Sequence, residues 1–114
     1  MLHNMKLQNE PFEQIKQGVK DVELRLFDEK RQKINAGDVI VFKNILTSEE
    51  ITTKCIDVFK APSFYELFKM LNDNSRMGFS ENLSCEEMSE KMRKYYSVSD
   101  EQKYGVVGIL IKLV

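Results

Sequence analysis

The last ten residues, Gly105-Val-Val-Gly-Ile-Leu-Ile-Lys-Leu-Val114, constrain the fold more than any other stretch of the chain. Val and Ile dominate them, and apolar residues fall on both faces of a β period rather than on alternate positions. A strand of that kind needs cover on both sides, so the sequence predicts a sheet with its last strand in the interior and other elements packed against each face.

The remaining segments supply those elements. Residues 2–8 read as a short first strand. A helix follows from Asn9 or Glu10, with Pro11 tolerated in its first turn, Phe12 and Ile15 on its apolar edge and Gly18 at its end. Val22, Leu24 and Leu26 alternate with Asp21, Glu23 and Arg25, the period of a strand with one buried face, which turns the charged set the other way. Asn35-Ala36-Gly37-Asp38 is turn chemistry, Val39 to Phe42 a continuous apolar strand, and Glu50 to Phe59 a further one. Ser63 with Glu66, and Ser84 with Glu87, have the spacing of capping boxes opening two more helices. Phe64, Leu67, Phe68 and Leu71 stripe the first of these, and Cys85, Met88, Met92 and Tyr95 the second; both stripes read as core packing. Four or five strands with three helices make a small α+β barrel or curled sheet.

At 114 residues, 42% of them hydrophobic, the chain suffices for one core, so residues 1–114 are expected to form a single domain. Any site then lies on the face or in the mouth of that unit. The 17 Lys and Arg nearly balance the 18 Asp and Glu, leaving a formal charge of -1 and no global pull toward polyanions. Cys55 and Cys85 form no CxxC pair and read as free thiols, with no metal site and no cofactor expected. The N-terminus lacks an apolar leader core and no apolar run approaches membrane-spanning length, so no membrane association is expected and the expected location is the cytoplasm. Nothing in the sequence requires a second copy of the chain.

The charged face of the second strand is the candidate for chemistry. Lys20 follows the helix-ending Gly18 and so sits in the turn before the strand, while Glu23 and Arg25, two apart, are neighbours on one face. Such a group orients a polar ligand or moves a proton; the competing reading is a solvent-facing salt-bridge network of little energetic weight.

The stretch "IKQGVKDVELRLFDEKRQKINAGDVIVF" resembles the signature region of the ASCH domain, a relative of the PUA fold. Gly18, Lys20, Glu23, Arg25, Gly37 and Asp38 match the family pattern in order. "SFYELFKML" resembles the family's middle helix, and "YYSVSDEQKYGVVGILIKL" its usual ending, so the resemblance covers essentially the whole chain. It implies a PUA-like β-barrel with surrounding helices, and a cleft beside the Lys-Glu-Arg motif that takes RNA or a nucleotide-like ligand. Lys20, Glu23 and Arg25 are then the site, and Lys30 and Arg31 phosphate contacts at its rim. His3 on the first strand is a further candidate for the same mouth, and Tyr96, with Tyr65, Tyr95 and Tyr104, offers a face for a base.

Some ASCH proteins are hydrolases. One small group is similar in outline and deacylates N4-acetylcytidine with a Thr, Lys and Glu constellation. Its threonine position is Glu23 here, which leaves Lys20 and Glu23 to activate water if the chain is an enzyme. A ribonuclease is a second hydrolytic alternative. A protein-interaction module, needing no chemistry, is the third class.

Overall fold

The terminal strand is indeed covered on both sides. The computed structural model describes residues 1–114, and in it β5 (Val106–Leu113) lies between β4 (Glu50–Ala61) and β2 (Val22–Leu26) in a five-stranded sheet of order β1-β3-β4-β5-β2. β1 (Leu2–Leu7) runs parallel to β3 (Val39–Asn44), and all other pairings are antiparallel.

Side chains at odd positions of β5, Val107, Ile109 and Ile111, face an inner core shared with α1 (Asn9–Lys16) through Phe12 and Ile15. Val106 faces an outer core built by α2 (Phe64–Leu71) and α3 (Cys85–Lys91). Gly108 sits under α2, where a Cβ would come within 3.2 Å of Val22 and 3.3 Å of Leu71. Its lack of a side chain is what lets the helix approach the sheet so closely.

Curvature comes from β4, which is two residues longer than the sequence pattern indicates. A bulge between Cys55 and Asp57 leaves Ile56 unpaired and exposed, and it inverts the facing of the residues after it. Thr53 and Cys55 are buried before it; beyond it Val58 packs on the inner core while Phe59 and Ala61 pack on the outer one. An extra residue of this kind bends a strand and increases its twist. Here the sheet becomes a half-barrel around α1, with β1 and β2 as its two free edges.

Two sequence expectations need correction. The chain has four α-helices rather than three, since α4 (Val98–Tyr104) follows an N-cap at Ser97 whose hydroxyl accepts from the Asp100 amide. The Ser84–Glu87 pair forms the full reciprocal capping box, whereas Ser63 only accepts from the Glu66 amide. No helix is long and apolar enough to cross a membrane.

Candidate functional site

The face of β2 expected to carry charge outward points inward. In an antiparallel ladder, directly paired residues project to the same side, and Glu23 pairs with Ile109 and Arg25 with Val107, both inner-core residues. Val22 and Leu24 lie in the outer core, so β2 is buried on both faces and Glu23 is only 4% exposed. The salt-bridge network is therefore not a solvated one.

Glu23 is held by two cations, one on each oxygen. Lys20 Nζ lies 3.0 Å from Oε1, and Arg25 Nε donates to Oε2 at 2.7 Å. Burial alone would raise the Glu23 pKa, but the charges of Lys20 and Arg25 and their hydrogen bonds outweigh it and hold the carboxyl below its ordinary value of 4.5. Arg25 reaches further. Its Nη2 donates to the Lys6 carbonyl at 2.7 Å, tying the β2 edge of the half-barrel to the β1 edge.

Local sequence explains the placement of Lys20. Gly18, at φ 79°, turns the chain out of α1 in a conformation costly for other residues. The Lys20 amide then donates to the Gln14 carbonyl, which sets the lysine under the sheet edge at 8% exposure. Gly78, at φ 87°, passes close above it, and a Cβ there would stand 3.3 Å from the Lys20 chain and 2.7 Å from the Gln14 amide oxygen.

Lys20, Glu23 and Arg25 line the floor of a cleft of about 720 Å³. Its walls come from β1 and α1 on the one hand and from Met77–Ser80 and the stretch Glu90–Tyr96 on the other. Lys6, Lys20, Arg25, Lys91 and Lys94 line it against Glu10, Glu23 and Glu90, five cations to three carboxylates, in a chain whose formal charge is -1. Both Glu23 oxygens are occupied, while Lys20 and Arg25 retain unused N–H groups. The floor therefore offers donors far more readily than acceptors.

Of the residues singled out from sequence, Lys20, Glu23, Arg25, Tyr95 and Tyr96 come together in this cleft. Burial pushes the Tyr96 phenol above its usual value of 10, with Arg25 pulling it the other way, so it stays protonated at neutral pH. Arg31 is not in the cleft lining; it pairs with Asp28 at 3.3 Å, and the two charges act on the Tyr96 phenol in opposite directions. Lys30 is exposed outside the cleft.

His3 also lies outside it. Its Nε2 is 2.8 Å from Asp38, in a cluster that includes the N-terminal amine, at the other end of β1 from the cleft-lining Lys6. Tyr65 and Tyr104 are likewise absent from the lining and hold Lys69 and Lys103 over their rings. Tyr95, placed in the core by its helical spacing, is instead exposed on the cleft wall. Lys91 and Lys94 leave no periodic trace in the sequence, although "KMRKYY", basic residues beside aromatic ones, is a composition that nucleic-acid surfaces share. No group of three or more His, Cys, Asp or Glu side chains converges in a way that would hold a metal ion.

A mixed, curled five-stranded sheet wrapped on one helix and flanked by others is the PUA-like half-barrel architecture. The chain belongs to the ASCH domain family, whose model it matches over residues 5–114. It is similar to hypothetical protein PH0355, known from a crystal structure, at 34% identity over the whole of both chains and a TM-score of 0.86. The solution NMR structure of protein PF0455 from Pyrococcus furiosus is 33% identical, with 100% of this chain and 98% of that one covered and a TM-score of 0.72. No curated protein matches the chain.

Proposed function

We propose that this ASCH protein binds RNA or a nucleotide-like ligand in the cleft above Lys20, Glu23 and Arg25. One observation carries the reading: a donor-rich floor and an excess of cations concentrate in a single cleft of a chain that is otherwise slightly acidic. Donors of this kind suit phosphate oxygens, and a guanidinium suits the acceptor edge of a base. The cleft volume falls in the range of about 300–1,000 Å³ typical of small-ligand sites, which fits one or two nucleotides rather than a duplex.

Binding is favoured over hydrolysis by the state of Glu23. A carboxylate with both oxygens accepting and its pKa held low is a weak base, and it stands where the N4-acetylcytidine hydrolases of the family carry a threonine. Glu23 is thus an orienting group for Lys20 and Arg25 rather than a proton acceptor.

The test is a thermal-shift screen of nucleosides, nucleotides and short RNA oligomers against the wild type and Lys20→Met, with product analysis of each hit. The expected result is a ligand-dependent rise in the wild type that the variant lacks, because binding to the folded state alone stabilises it. Equal responses in both proteins, or none from any nucleic-acid-derived compound, would overturn the reading.

A further inference from the structure

We infer that Tyr95 is the base-stacking residue of the cleft, and that its ligand is a single strand with one unstacked base on that ring and the adjoining phosphate against Lys91 and Lys94. This rests on the nucleic-acid reading of the cleft and adds the form of the ligand to it.

The backbone around Tyr95 is fastened in a way that keeps the ring out of the core. After α3 the chain makes a 3₁₀ turn, Met92–Lys94, with Met92 buried. Arg93 in this turn is paired with the buried carboxylate of Glu101 on α4, and its Nη1 donates to the Tyr96 carbonyl at 3.2 Å. Glu101 in turn accepts from the Phe64 amide at the start of α2. Tyr96 takes the place beside the core, its ring stacked on Phe64 at 5.7 Å and 23°. Tyr95, its neighbour in the chain, is left 58% exposed on a fixed turn beside the cleft.

A large aromatic in that position contributes little to folding, since more than half of it remains in water and its ring is only tilted against that of Tyr96 at 6.4 Å. It does supply a rigid platform, and Lys94 Nζ, 5.8 Å from the ring centre, adds a cation at the same point. Lys91 lines the same wall, with Glu90 beside it as the one carboxylate of that wall. Bases present their faces only when unstacked, which holds for single strands and not for duplexes. Stacking on an aromatic with flanking cations on the backbone is how single strands are held without sequence preference.

The experiment is a fluorescence-anisotropy titration of a labelled short oligouridylate, competed by the unlabelled oligomer and by the same backbone without bases. Tyr95→Phe is expected to bind like the wild type, and Tyr95→Ala about tenfold more weakly. The base-free competitor should be weaker than the full oligomer against the wild type, with much of that difference gone against Tyr95→Ala. Lys91→Ala and Lys94→Ala should each lower the slope of log affinity on log salt by about 0.7. If Tyr95→Ala binds like the wild type while Lys20→Met binds weakly, the stacking role falls and the cleft reading stands. If the wild type binds no oligomer, the single-strand ligand falls, and the cleft reading is decided separately by the nucleosides and nucleotides of the thermal-shift screen. Because the Tyr95 ring is exposed, the melting temperature of Tyr95→Ala should match the wild type, which confirms that a binding loss is not a folding loss.

Discussion

Removing the Glu23 side chain should weaken the fold and strengthen anion binding at the same time. In Glu23→Ala, Lys20 and Arg25 lose the carboxylate that each now touches, at 3.0 and 2.7 Å, and are left as like charges at a buried spot. Breaking a buried ion pair by deleting one partner costs about 3–5 kcal/mol. At about 4 °C per kcal/mol for a chain of this size, the melting temperature should fall by roughly 12–20 °C. An anion that fills the vacated place reverses part of this. At a hundred times its Kd it returns about 2.7 kcal/mol, so inorganic phosphate should stabilise the variant more than the wild type. The acid limb gives an independent check. Because the folded-state pKa of Glu23 lies below 4.5, its contribution is complete above that pH and is lost as pH falls through the depressed value; Glu23→Ala should lack that loss. Urea titrations with and without phosphate measure both signs. A variant that loses less than about 1 kcal/mol, the scale of an exposed pair, or one indifferent to phosphate, would refute the view that Glu23 neutralises a buried cationic pair.

The same geometry predicts three further outcomes. Asp38, held down to about 2 by its hydrogen bond to His3 and by the Asn35 amide, contributes stability that is complete above its unfolded value of 3.8 and is lost as pH falls through about 2; acid denaturation should show the gap between wild type and Asp38→Asn closing over that interval. Glu101→Ala strands Arg93 and the Phe64 amide, and should lose about 3–5 kcal/mol in urea, against under about 1 kcal/mol if the pair were an ordinary surface bridge. Gly78→Ala forces a left-handed residue at φ 87° and should cost about 1–2 kcal/mol, with weaker ligand binding because Gln14 must move and Lys20 is crowded; an unchanged stability would show that the loop relaxes freely.

The sheet and the site motif were legible because each leaves a periodic or ordered trace. The Val- and Ile-rich run after Gly105 specified an interior strand, and Lys20, Glu23 and Arg25 stood in the order of the ASCH signature. The features that escaped did so for physical reasons. The alternation at Val22–Leu26 reads the same whether the charged face meets water or a self-neutralising buried network, so the burial of Glu23 was invisible. Helix α4 carries no apolar stripe, since its one buried residue is Glu101, and so it leaves no helical period in the sequence. Tyr95 kept the spacing of a core residue, but the turn at Met92 rotates the chain before the stripe reaches it. The bulge at Ile56 is a property of pairing between strands, which no single segment encodes.

The most direct test of the cleft as the binding site is NMR mapping of backbone amide shifts during titration with a short single-stranded RNA. Binding at the cleft should move amides of the Lys20–Arg25 segment, of Met77–Ser80 and of Lys91–Tyr96 together, with one common Kd, and leave those around His3 and Asp38 in place. Shifts centred on the His3–Asp38 end of the half-barrel, or none at saturating RNA, would contradict it.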